Sequence, residues 1–196
     1  SESGTALANV LSGKVCPSGK LPVTFAKAQN DYPCFKYGTI GYPGDGKEVR
    51  YDEGIYVGYR HFDTRGVKTQ FSFGFGLSYT TFKYGKPQIV AKGNAAWTVS
   101  VDVTNTGKCE GKEIVQLYIG DEQCSVDRPK KELKNFAKVA LRPGETKTVT
   151  MDITDDELKF WDETSHGWKV EPGKFCAYIC ASVDDVRGKV VFQYNK

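Results

Sequence analysis

The sequence predicts a mainly β protein whose C-terminal part, residues 81–196, is an antiparallel β-sandwich of immunoglobulin or fibronectin type III-like class. Three observations predict it. From about Lys83 onward apolar residues recur with a period of two, the pattern of strands that bury one face. Turn sequences separate these stretches: Asn105-Thr106-Gly107, Pro143-Gly144 and Pro172-Gly173. Twenty-one glycines and eight prolines in 196 residues also favour many turns and short strands over long helices.

Taken in order, Thr5 to Leu11 reads as the last turns of a helix, with Gly13 as its terminator. Leu21 to Phe25 reads as one short strand. A lone helix and strand cannot cover their own apolar faces, so residues 1–26 read as an incomplete piece of another domain. Residues 27–80 form a connecting segment, loop-rich as far as residue 70. Gly38, Gly41, Pro43, Gly44 and Gly46 punctuate it, and Tyr32, Phe35, Tyr37 and Tyr42 are spread between them. A long connection with so many rings is expected to lie across a surface and anchor itself by them. Phe71, Phe73 and Phe75 alternate around Ser72 and Gly74, which would set three rings on one face of an extended segment as packing wedges.

The sandwich follows. Trp97, Val99, Val101 and Val103 alternate with polar residues on one strand, and Val115, Leu117 and Ile119 mark a second. Val149, Met151 and Ile153 mark another. Phe175, Ala177, Ile179 and Ala181 form a further stripe, and Val190, Phe192 and Tyr194 close the chain. Thr154 with Glu157 is a capping box, so a helical turn should open at Asp155. Trp161 and Trp168 flank a hairpin tip at Glu163 to Gly167 and are expected to be buried, as tryptophan usually is.

Composition excludes several classes. Lysine and arginine number 27 against 24 acids, interspersed, for a formal charge of +3. The densest basic patch, Arg128, Lys130, Lys131 and Lys134, lacks interleaved aromatics; it reads as a solvated strand edge, not a nucleic-acid stripe. No apolar run approaches the roughly 20 residues needed to span a bilayer, and no signal-peptide pattern or Asn-x-Ser/Thr sequon is present. Metal ligation is disfavoured because there is no Cys-x-x-Cys pair and His61 and His166 stand far apart. Asp155-Asp156-Glu157 and Asp184-Asp185 lack the periodic spacing of a calcium loop.

Six cysteines leave the redox state open. Cys176 and Cys180 share a strand and lie roughly 13 Å apart, too far to bridge each other. If their strand neighbours the one between Cys109 and Cys124 antiparallel, Cys124 could meet Cys176 and Cys109 could approach Cys180, leaving Cys16 with Cys34. Six free, partly buried thiols are the alternative.

Five ordered motifs carry a resemblance. They are Tyr51-Asp52-Glu53-Gly54-Ile55-Tyr56-Val57-Gly58-Tyr59-Arg60, Phe71-Ser72-Phe73-Gly74-Phe75-Gly76-Leu77-Ser78-Tyr79-Thr80, Asn9 to Gly13 with Pro17 to Phe25, Val103 to Gly107, and Leu141 to Glu145. Together they resemble the C-terminal portion of family three glycoside hydrolases of β-glucosidase or β-xylosidase type, with its fibronectin type III-like domain. The resemblance implies that residues 1–26 are the tail of an α/β sandwich domain, residues 27–80 the connection and residues 81–196 the C-terminal β-sandwich.

It also implies a function. The parent enzyme would hydrolyse terminal β-linked glucose or xylose with retention of configuration, without a cofactor, in a periplasmic or secreted location. Such hydrolysis uses two carboxyl groups about 5 to 5.5 Å apart. In the family these lie in an N-terminal barrel and in the α/β sandwich, upstream of Ser1, so no residue here is assigned a catalytic, cofactor-binding or metal-binding role. Asp52 and Glu53 read as loop carboxylates tied to Arg60 or to backbone amides. The expected partners are the missing N-terminal catalytic domains and, for the parent, a β-linked oligosaccharide or glycoside. Nucleic acid and membrane are not expected, and the isolated fragment should either self-associate through uncovered apolar surface or keep a mobile N-terminal third. Within this reading residues 26 to 80 act as a clasp, with Phe71, Phe73, Phe75 and Tyr79 as anchors. The alternative is a carbohydrate-binding or adhesive β-sandwich module, which exposed Trp161 and Trp168 would favour.

Overall fold

The computed structural model describes residues 2–35, 41–93 and 95–195. Tyr37 and Gly38 of the aromatic, glycine-punctuated connection lie outside the described residues. The chain begins with helix α1 (Ser3–Leu11), ended by Gly13 in the left-handed region (φ 75°) as its sequence suggested. The predicted strand at Leu21 to Phe25 shrinks to β1 (Phe25–Ala26). Pro22 explains the difference, because it has no N–H to donate to a ladder.

The connecting segment holds more regular structure than its glycines and prolines suggest. Two 3-10 turns, Gln29–Asp31 and Pro33–Phe35, are followed by helix α2 (Tyr59–Arg65) and strand β2 (Thr69–Phe71). Helix α2 was not legible because it spans only two turns and carries no capping side chain. Gly66 ends it in the left-handed conformation (φ 65°), which glycine adopts without a Cβ penalty. Strand β2 returns antiparallel to β1, pairing Phe71 with Phe25.

The remainder is the expected sandwich. Strands β3 (Phe82–Tyr84), β4 (Gln88–Gly93), β5 (Ala96–Asn105), β6 (Gly111–Asp121), β7 (Glu132–Leu141) and β8 (Thr146–Thr154) precede a 3-10 turn at Asp155–Leu158. That turn is capped by Thr154 and Glu157 in the predicted reciprocal manner. Strands β9 (Phe160–Asp162) and β10 (Gly167–Lys169) form a hairpin, and β11 (Gly173–Cys180) and β12 (Val186–Tyr194) complete the chain. One sheet runs β12-β11-β6-β7; in the other, β5 is flanked by β8 on one side and by β4 and β3 on the other. All described pairings are antiparallel.

The alternating residues meet between the sheets. Val99, Val103, Val115, Leu117, Ile153, Ala177 and Ile179 are fully buried, with Trp97 packed against Phe192 and Tyr194 at one end. Strand β6 departs from alternation: every residue from Val115 to Gly120 is buried. A strand buried on both faces must be covered on its outer side as well, and the connecting segment supplies that cover.

Candidate functional site

Two surfaces stand out: the seam by which residues 56–80 seal the outer face of the β6/β11 sheet, and the exposed apolar side chains of residues 1–80. The seam is built around Gln116. Its amide Nε2 donates to the carbonyls of Gly74 (3.1 Å) and Ala181 (2.8 Å), and its Oε1 accepts from the Tyr118 hydroxyl (2.7 Å). Burial holds the Tyr118 phenol far above its usual range, so it stays a donor. Gly74 has φ 78°, and a Cβ there would run into the Gln116 amide. Gly76 is as constrained, since a Cβ would strike the Gly19 carbonyl. These two glycines let the chain pass tightly between the sandwich and residues 17–21.

Aromatic packing reinforces the seam. Phe73 stacks on Tyr59 of α2 at 4.7 Å, and Tyr59 meets Tyr118 edge-on at 5.9 Å, next to buried Cys180 and Val183. The expectation that Phe71, Phe73 and Phe75 share one face does not hold. Strand β2 ends at Phe71 and the chain turns, with Phe75 N–H donating to the Ser72 carbonyl (3.1 Å). Phe73 therefore faces the sandwich, whereas Phe71 packs on Phe75 (5.2 Å) and Phe25 (6.2 Å).

Polar contacts lock α2 down. Lys131 is only 2% exposed; its Nζ meets Asp63 Oδ2 at 2.6 Å and lies within 6 Å of the Tyr118 and Tyr178 ring centres, at 5.9 and 5.8 Å. The patch read as a solvated strand edge is thus, at Lys131, an interior ion pair. The reason is α2, a helix the residue pattern did not announce, which carries Asp63 to that edge. The Tyr59 hydroxyl accepts from Leu133 N–H (2.9 Å), and Ser72 Oγ donates to Asp184 (2.5 Å), which Ser182 also engages (2.7 Å). Tyr56 donates to Asp127 at 2.6 Å; its phenol is pushed up to about 12 by burial and by that carboxylate.

Arg60 does not bind Asp52 or Glu53, as the sequence suggested. Its Nη2 reaches Glu132 at 3.0 Å, joined there by Arg128 and Lys134. Burial raises the Glu132 carboxyl, but Lys134, Arg60 and Arg128 outweigh it and hold the group below its ordinary value. Glu53 is buried with its Oε2 unpartnered.

The six thiols are free. Strands β6 and β11 are antiparallel neighbours as supposed, but Cys176 lies opposite Gly120 and Cys180 opposite Gln116. Cys124 and Cys109 therefore fall beyond the paired stretch, and none of the suggested bridges forms. Burial pushes the Cys180 thiol up to about 12.

The outward face is apolar. Helix α1 buries none of its residues, and Leu7 and Leu11 are 59% and 73% exposed. Val15, Val23, Phe25, Phe71, Leu77 and Tyr79 extend the exposed apolar surface, and the Tyr79 hydroxyl donates to the Val10 carbonyl (2.8 Å). Trp161 and Trp168 on the β9–β10 hairpin are also exposed, at 50% and 67%, which corrects the expectation that they are core residues. The hairpin projects as a two-stranded ribbon outside both sheets, so its ring pair has no third layer to enter.

The fold and the seam define a fibronectin type III-like sandwich with an N-terminal extension sealed onto one sheet. Residues 113–183 match the fibronectin type III-like domain, and residues 1–59 match the glycosyl hydrolase family 3 C-terminal domain. The chain belongs to the family 3 glycoside hydrolases and is their C-terminal portion. It is 53% identical over 197 residues to β-glucosidase BoGH3A of Bacteroides ovatus, covering 99% of this chain and 26% of that protein. The crystal structure of a family 3 β-glucosidase from Bifidobacterium adolescentis superposes with TM-score 0.91 at 38% identity, over 97% of this chain and 28% of that one. β-Glucosidase 3B of Thermotoga neapolitana, solved with α-D-glucose, matches with TM-score 0.91 at 37% identity, over 100% of this chain and 27% of that one. The chain thus spans about a quarter of the length of the relatives it matches.

Proposed function

We propose that this chain is the non-catalytic C-terminal region of a retaining, exo-acting β-glycosidase, and that it stabilises the catalytic domains of the parent enzyme. The parent would hydrolyse terminal β-linked glucose or xylose. The observation that carries this reading is the exposed apolar surface of residues 1–80: an entire helix with no buried residue, together with exposed Phe25, Phe71 and Leu77. Apolar surface of this extent marks an interaction site, and each 100 Å² of it covered contributes about 2.5 kcal/mol.

The seam gives the face its backing. Residues that dock outward through Phe71 and Leu77 are fixed inward through Phe73, Gly74 and Ser72 to the β6/β11 sheet. The sandwich thereby holds the docking segment in one shape, which lowers the cost of ordering it on association.

The test uses the full-length parent enzyme with Phe71→Asp and Leu77→Asp, exposed substitutions that spare the seam. Lowered thermal stability and reduced hydrolysis of an aryl β-glucoside or β-xyloside are expected. Unchanged stability and activity, in these variants or after deletion of residues 80–196, would refute the stabilising role.

A further inference from the structure

We infer that the β9–β10 hairpin and the cleft beside it form a binding site for neutral oligosaccharide, built from other residues than the apolar docking face. Trp161 and Trp168 are cross-strand partners whose rings meet edge-to-face at 5.7 Å and 80°. Edge-to-face packing leaves broad ring surface open, and both side chains are at least half exposed, whereas the chain's third tryptophan, Trp97, is 8% exposed. Two adjacent indoles left in water forgo burial of some of the largest apolar side chains a protein has.

The hairpin is held in shape. Ser165 Oγ and Thr164 N–H both donate to Asp162, at 2.7 and 3.2 Å, closing the tip. The cleft beneath it joins the two parts of the molecule, since Ile55 and Arg60 of the connecting segment line it together with Phe160 of β9. Arg128 lies over the Phe160 ring at 5.6 Å and donates to the Leu158 carbonyl at 3.1 Å, which stiffens the floor.

Charge selects the class of ligand. Four cationic side chains and four carboxylates line the cleft, so it carries no net charge. A polyanion or a basic peptide gains nothing from such a surface. A neutral glycan suits it: the apolar C–H face of a pyranose lies on an indole, and its hydroxyls both donate and accept. Glu163, at the tip, makes no hydrogen bond or ion pair among the described residues and is free to accept from vicinal hydroxyls.

The chain is titrated with cellotetraose and with xylotetraose while tryptophan emission and the indole N–H signals in NMR are followed. Saturable change of the Trp161 and Trp168 signals is expected, with Trp97 unmoved. Trp168→Ala should weaken binding by about ten-fold or more, the order of one lost aromatic platform, and Trp168→Tyr should restore most of it. Unchanged far-UV circular dichroism guards against misfolding of the variants. Absence of saturable change with either glycan, or change that survives Trp161→Ala/Trp168→Ala, overturns the site. So does a hairpin that instead mediates self-association, seen as dimers abolished by Trp168→Ala with no glycan effect. The titration needs no partner domain, so it stands or falls independently of the stabilising role.

Discussion

Lys131 shows most clearly what single residues contribute. A lysine 2% exposed is tolerable only with its charge matched, here by Asp63 at 2.6 Å and two tyrosine rings. Lys131→Ala leaves the partly buried Asp63 carboxylate to the exposed Lys130, 3.9 Å away, and should cost about 2–3 kcal/mol, measured by urea denaturation. Lys131→Met paired with Asp63→Asn should recover part of that loss. Glu132 carries a pH signature. Its carboxyl is held below its ordinary value, so its contribution is present above the unfolded-state value of about 4.3 and fades as pH falls through the lower folded value. Glu132→Gln should therefore destabilise by roughly 1–3 kcal/mol near neutral pH, with the gap to wild type closing below about pH 4. A gap that stays constant with pH would show that the charge is not the cause. Neither residue was legible in the sequence, where Lys131 read as one more surface cation. Alternation reports which face of a strand is buried, but not which charge from a distant helix will arrive there.

Among the elements, the inward stripe of a strand was easy to read and a second, outer cover was not. Trp97 to Val103 and Val149 to Ile153 alternate in sequence and in burial, whereas β6 and β11 carry a legible inner stripe but also bury Tyr118, Cys176 and Cys180. β7 was not singled out, because Lys134 and Lys138 interrupt its apolar residues and Phe136 points outward, 64% exposed. α2 was hidden for a different reason: its helical turns are stabilised by tertiary contacts of Tyr59, Phe62 and Asp63, not by local propensity. The resemblance motifs did locate the seam, since Tyr59 and Phe73 both fall within them. Phe73→Ala should remove the stacking partner of Tyr59 and cost about 2–4 kcal/mol. The same substitution at Phe71, which is 41% exposed, should cost under about 1 kcal/mol in the chain alone. Equal losses at the two positions in thermal or urea unfolding would contradict the division of the three phenylalanines between inward and outward roles.

On the scale of the whole molecule, exposed apolar side chains are unevenly shared. Of the twenty large ones exposed among the described residues, thirteen lie in residues 1–80. The chain alone should therefore associate in a concentration-dependent way, which analytical ultracentrifugation would show, and Leu77→Asp with Phe71→Asp should return it towards monomer. A wild-type chain that stays monomeric at high concentration would show that this face does not drive association on its own. Helix α1 extends the point. Nine residues are too few for a stable isolated helix in water, and this one buries no side chain of its own. Its backbone amides should exchange with deuterium almost as fast as in a coil while the face is open, and slow by orders of magnitude once it is covered. Residues 3–11 would then act as a built-in gauge of whether this face has been covered, reporting it by isotope uptake without any label or substrate.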